Sequence, residues 1–141
     1  MMTKKELSQY YYLKREISST QRRLAKLRAE AYHPASPVLS DEPPGPHTGE
    51  SRVERLALEI TDLEAILATK QIQCIHELAK LERFIADIPD SMTRQIFTLR
   101  HVERLRWAAV AYRAGGDNTP DGVRMKHDRY LREYNAAQKK I

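Results

Sequence analysis

Between Arg106 and Arg132 lie six basic side chains, Arg106, Arg113, Arg124, Lys126, Arg129 and Arg132, set around a glycine pair and a proline. Their chemistry is anion recognition. A guanidinium near the start of a helix can donate two parallel hydrogen bonds to O6 and N7 of a guanine. Arginines and lysines further along grip phosphate oxygens, which position a protein on a duplex without reading its sequence. On a helix opening near Asn118, the residues Val123, Tyr130, Leu131 and Tyr134 share one face, with His127 at its border. The opposite face holds Asp121, Gly122, Arg124, Met125, Asp128, Arg129 and Arg132. Because the first turns of such a helix reach the base edges, Asp121, Gly122, Arg124 and Met125 are the expected base contacts. Arg106, Arg113, Thr119, Lys126, Arg129 and Arg132 are the expected phosphate contacts. A plain solvated face is the rival reading of these arginines, and it applies most to Arg132. Arg94 and Arg100 are expected to pair within the protein.

Other chemistry finds less support. Cys74 and His76 stand two apart on a helix and point in different directions, which argues against a zinc site. The sequence offers no supported Ser/His/Asp, Cys/His or paired-carboxylate set and no glycine-rich phosphate loop. The expectation is a binding protein, not an enzyme, with no metal and no cofactor.

Three short helices must hold the basic face. Ser91 to about Glu103 turns Met92, Ile96, Leu99 and Val102 inward, and Arg106 to Ala114 does so with Trp107, Val110 and Ala111. Gly115-Gly116 closes the second helix, since glycine accepts the left-handed geometry common at helix ends. Asn118 or Thr119 caps the third, followed by Pro120 at its first position and Asp121 in its first turn. A helix, a tight turn and a second basic amphipathic helix make a helix-turn-helix.

Ahead of it stand two long helices. Thr3 to about Tyr32 begins with a Thr3/Glu6 capping box and carries a narrow stripe of Tyr10, Leu13, Ile17, Thr20, Leu24, Leu27 and Ala31. Of Tyr10, Tyr11 and Tyr12, at least one ring must face outward. Ser51 to about Asp87 is capped by Ser51 with Glu54, and its stripe runs from Val53 to Ile88 with a stutter near Lys70-Gln71. Ile66, Ile72, Ile75 and Phe84 fall off that stripe, implying a dimer or docking against the C-terminal helices. Between the two, residues 33–50 hold five of the seven prolines and form a loop whose only apolar anchor is Val38-Leu39. Ile88-Pro89-Asp90 ends the second helix, and Asn135 to Ile141 is expected to fray as a tail.

The segment IPDSMTRQIFTLRHVERLRWAAVAYRAGG resembles DNA-binding region 4 of sigma-70-type factors. Ile88-Pro89 stands at that family's Leu-Pro, Leu99-Arg100 at its Leu-Arg, and Val110-Ala111 at its Ile-Ala. Thr119, Val123 and Arg124 match the start of its recognition helix. The whole chain resembles small phage and prophage proteins that carry a region 4-like domain, some of them late-gene transcription regulators of the ArpU/RinA kind. The resemblance implies that Arg124 contacts DNA and that His127, at an apolar position of the family, is a packed core histidine. Departures are Arg104 at the usual turn glycine, Ala108-Ala109 at two acidic positions, and a slightly long turn at Gly115 to Asn118. No region 2, which binds polymerase core, is recognisable, so a complete sigma factor is not expected.

Charge agrees in its distribution. The 141 residues carry 24 basic and 19 acidic side chains, a net +5, with +5 over residues 1–32, −6 over 33–90 and +6 over 91–141. A basic final third suits a nucleic-acid partner. The single cysteine fits a reducing compartment. The opening MMTKKELSQ lacks a signal peptide's apolar core, and no apolar run approaches a membrane span. The expected protein is therefore all-α: a long antiparallel helical hairpin or coiled coil over residues 1–88, a three-helix head over 89–134, and a tail over 135–141. It is expected in a bacterial host's cytoplasm or nucleoid, as a homo-oligomer (a dimer favoured) on double-stranded DNA, with RNA polymerase a further candidate partner. Rival readings are a phage small terminase-like packaging subunit and a module that binds polymerase or a host protein.

Overall fold

The computed structural model describes residues 1–32 and 51–140, so the expected loop 33–50 with Val38-Leu39, and Ile141, lie outside the described residues. The described residues are all-helical, without a strand. Helix α1 spans Lys4–Tyr32, α2 Arg52–Ala86, α3 Ser91–Phe97, α4 Trp107–Ala114 and α5 Pro120–Lys139, with a π-helical turn at Thr98–Val102 between α3 and α4. None of these helices is long and apolar enough to cross a membrane.

The start of α1 is the expected reciprocal cap. Thr3 N–H donates to Glu6 Oε2 at 2.8 Å, and Glu6 N–H donates to Thr3 Oγ1 at 3.1 Å. The cap bond from Thr3 is the main reason the Glu6 carboxyl lies below its ordinary pKa. At α2 the Ser51 hydroxyl accepts from Glu54 N–H at 3.2 Å.

Packing divides the chain into two compact units, one of residues 1–14 with 73–141, the other of residues 15–72. The break in α2 falls beside the stutter near Lys70-Gln71.

In the unit of residues 15–72, Leu24, Leu56 and Leu63 are buried. Arg28 bonds to Glu64 Oε1 at 2.8 Å and Lys70 Nζ to Thr20 Oγ1 at 3.3 Å, so partners step back along α2 as they step forward along α1. Thr20, the one polar member of the α1 stripe, is buried and satisfied, because its hydroxyl also donates to the Glu16 carbonyl at 2.8 Å. Val53, placed on the α2 stripe by its spacing, is instead exposed. It lies in the first turn of α2.

The other unit has two apolar clusters. The first joins Met2, Leu7 and Tyr10 to Leu81, Phe84, Ile85, Ile88, Phe97 and Leu131. The second joins Ile96, Leu99, Val110, Ala111 and Val123. Phe84 thus docks against the C-terminal helices, one of the two outcomes its off-stripe position allowed. Ile66, Ile72 and Ile75 remain exposed.

Two expected boundaries are corrected. The helix from Ser91 does not run regularly to Glu103: after Phe97 it widens, and Glu103 N–H bonds to the Thr98 carbonyl at 3.0 Å, five residues back. The extra residue in that turn lets Leu99 and His101 both point inward. The C-terminus does not fray at Asn135, since α5 continues to Lys139. Asn135 has a structural duty there. Its Oδ1 accepts from Met2 N–H and its Nδ2 donates to the Met2 carbonyl, both at 2.8 Å. Asn135→Ala is expected to cost about 1–2 kcal/mol by leaving the Met2 backbone unpaired, read as a lower urea midpoint at unchanged slope.

Candidate nucleic-acid interface

The turn before α5 is built by residue type. Gly115 and Gly116 take φ of 82° and 68°, values that suit glycine. The Asn118 side-chain amide bonds to the Gly115 carbonyl. Of the two candidate caps, Thr119 is the one used: its hydroxyl accepts from Gly122 N–H at 3.0 Å. A Cβ on Gly122 would come within 2.9 Å of that hydroxyl, so glycine is what lets the cap close. Pro120 then starts the helix without needing a donor.

These devices leave the first turns of α5 facing solvent. The Arg124 side chain is 53% exposed and pairs with Asp121 Oδ1 at 3.3 Å. Met125 is 58% exposed, and Asp121 and Gly122 are exposed too. The four expected base contacts therefore share one accessible surface.

The expected phosphate contacts disperse. Arg129 and Arg132 are exposed on the same helix, and with Met125 they line a groove whose other wall is Thr3 and Lys4. Arg106 is exposed at the start of α4. Arg113 pairs with Glu103 at 3.6 Å and borders a separate hollow with Arg94 and Thr98. Lys126 turns sideways and pairs with Asp90 at 3.4 Å. Asp90 is itself the α3 cap, and bonds from the Thr93 hydroxyl and N–H hold its carboxyl down at about 2. Thr119 spends its acceptor on the cap. Arg94 and Arg100 do pair internally, with backbone carbonyls: Arg94 with Ile88 at 2.7 Å, Arg100 with Leu105 at 3.0 Å.

Behind the face sits a buried polar chain. His127, only 2% exposed, is core and not border. Its ring stacks on Phe97 at 4.3 Å. His127 Nδ1 meets Asp128 Oδ1 at 2.9 Å, and its Nε2 meets His101 Nε2 at 2.7 Å. A carboxylate only accepts, so the consistent tautomers put the proton of His127 on Nδ1 and that of His101 on Nε2. Lys4 closes the chain on Asp128 at 3.3 Å. Burial pushes His101 down to about 3, aided by the neighbouring His127, Arg100 and Arg104 charges. Burial lowers His127 as well, against the opposing pull of Asp128.

Both imidazoles are thus neutral in the fold, while in the unfolded chain they titrate near about 6.5. The folded pKa values lie below the unfolded ones, so stability is full above about 6.5 and falls with pH beneath it, by up to about 1.4 kcal/mol per pH unit for each histidine. Urea unfolding at pH 7.5 and 5.5 should show that loss. The double variant His101→Leu with His127→Phe should flatten it.

Arg104 takes φ of 62°, the one non-glycine residue with positive φ among those described. Such geometry costs about 1–2 kcal/mol. Its guanidinium lies 3.4 Å from the centre of the Tyr11 ring, a contact that offsets part of the cost. Arg104 also lines a cleft of about 270 Å³ with Lys4, Arg100, Trp107 and Arg124. Spacing within the C-terminal third could not find this group, because Lys4 comes from α1. The sequence signal was the departure of Arg104 from the glycine that the resemblance to sigma-70 region 4 leads one to expect there.

Among the described residues, no group of three or more His, Cys, Asp or Glu side chains is placed to hold a metal ion. No protein-family profile, curated protein or solved structure matches the chain.

Proposed function

We propose that the protein is a sequence-specific DNA-binding transcriptional regulator of phage or prophage type. In this reading α4, the Gly115-Gly116 turn and α5 are a helix-turn-helix of the sigma-70 region 4 kind, and α5 enters the major groove. The observation that carries it is the solvent-facing start of α5, with Arg124 and Met125 exposed on a helix that buries Val123, His127 and Leu131 on its other side. Asp121 holds Arg124 extended along the helix surface until a base edge replaces the carboxylate. Arg129, Arg132 and Arg106 supply phosphate contacts around it.

The long helices α1 and α2 form an antiparallel hairpin that dimerises. The exposed Leu58, Ile66, Ile72 and Ile75 support that, since so many wet aliphatic side chains on one helix are costly for a monomer. A two-fold dimer places two heads on half-sites separated by about 34 Å, or a multiple of it.

Solution mass with duplex titration tests the reading. A dimer is expected, whereas eight or more copies would favour a terminase-like packaging ring. With about five phosphates gripped per head, log affinity should fall against log salt with a slope near about −4 to −5 per head. A chain that binds no duplex at low salt, yet retains a protein partner through α2, would favour the interaction-module reading.

A further inference from the structure

The cleft that α1 shares with the C-terminal helices is richer in charge than the reading above requires. Four of its wall residues are cations, Lys4, Arg100, Arg104 and Arg124, against one carboxylate, Asp128. They come from three parts of the chain. Lys4 lies in the first turn of α1, Arg100 and Arg104 lie in and just after the π-helical turn, and Arg124 lies on α5. Like charges gathered from separate elements repel, and only two of the four have a carboxylate partner among the described residues, Lys4 on Asp128 and Arg124 on Asp121.

The cleft is also held in shape. Arg100 lies 4.5 Å over the Trp107 ring and is tied to the Leu105 carbonyl, so its guanidinium is aimed before any ligand arrives. Arg104 is fixed over Tyr11 at the price of a left-handed backbone. Two side-chain atoms of the wall residues are closed off from solvent and unpaired among the described residues, the Arg104 Nε and the His101 Nδ1, so the bonds that hold these two side chains do not use up their polar capacity. A planar fork such as arginine's matches a tetrahedral oxyanion with paired oxygens.

We propose that this cleft is a binding site for a phosphate-class oxyanion, with Arg104 as its anchoring residue and Arg100, Lys4 and Arg124 completing the cradle. Its volume of about 270 Å³ suits one phosphate group and its water, or one phosphodiester with part of a sugar. The natural source within the reading above is a backbone phosphate of the duplex that α5 enters. Arg124 borders both the cleft and the base-reading face, so one phosphate seated here would fix the helix in register. That assignment of the source rests on the DNA-binding reading; the oxyanion site itself does not.

Trp107, the chain's one tryptophan, lies in the wall and reports on the cleft directly. The full chain is titrated with inorganic phosphate at constant ionic strength, with chloride as the control. Saturable change in Trp107 emission with phosphate, and not with chloride, is expected. The variant Arg104→Gly removes the anchor while suiting the positive φ, so it should fold with stability near that of the parent. In it, phosphate affinity should drop by about ten-fold or more. A response identical for phosphate and chloride, or unchanged in the folded Arg104→Gly chain, overturns the site.

A second arm identifies the source. If the phosphate belongs to DNA, a duplex displaces inorganic phosphate, and Arg104→Gly lowers the salt slope of duplex binding by about 1 on every sequence alike. Phosphate binding that persists in a chain with no duplex affinity keeps the site and discards the DNA-binding reading. Duplex binding with an unaltered slope in Arg104→Gly keeps that reading and removes the phosphodiester assignment.

Discussion

Phe97→Ala is expected to remove most of the stability of the unit that holds α5. Phe97 is wholly buried in the cluster that joins Met2 and Leu7 to Phe84, Ile88 and Leu131. Its ring stacks on His127 at 4.3 Å and meets Phe84 at 5.8 Å and Tyr130 at 5.6 Å. Deleting a buried phenyl group costs about 3–5 kcal/mol, the transfer term and the cavity together. A typical domain has only about 5–15 kcal/mol in hand. The loss would also fall on the His127–His101 pair, since the stacked ring is part of what keeps that hydrogen bond dry. Urea unfolding should place the variant's midpoint far below the parent's, and near-ultraviolet circular dichroism should lose its aromatic signal first. A cost under about 1 kcal/mol would show that Phe97 is not the centre of this packing.

The second large effect is on recognition. Arg124→Ala should weaken binding to a preferred duplex by about 1–3 kcal/mol, roughly five- to 150-fold, and make one base position degenerate. Stability should hardly change. The only bond lost is the exposed pair with Asp121, and surface pairs of that kind contribute little. Separation of the two effects is the informative part. Phe97→Ala acts through the fold and should lower affinity for every sequence, whereas Arg124→Ala should leave the fold intact and alter which sequence is preferred. Equal affinity and equal preference in the Arg124→Ala chain would remove α5 as the reading element.

Local signals in the sequence were strong and translated directly into structure. The Thr3/Glu6 cap, the Ser51 cap, the Gly115-Gly116 turn and the Thr119-Pro120 start are each fixed by chemistry within a few residues, and all are present. The all-helical class followed from the same periodicities. What periodicity could not show was set by contacts distant in sequence. Met2 and Leu7 join the core because Phe84, Ile85 and Leu131 come to meet them. Asn135 is held in a helix because the Met2 backbone needs its amide. His127 moves from the border of α5 to its core because His101, turned inward by the π-helical turn, gives it a partner. The expected base contacts lie on one accessible surface, as their shared face implied. The expected phosphate contacts do not, because Lys126 and Arg113 each found a nearby carboxylate.

Sequence-specific binding requires α5 to present Arg124 and its neighbours to a duplex. The most direct measurement is selection by the full chain from a pool of random duplexes, at moderate and fixed salt, followed by sequencing of what is retained. The expected result is a recurrent motif in two half-sites spaced by whole helical turns. A retained pool with no motif, from a chain shown to be folded at that salt, would contradict it.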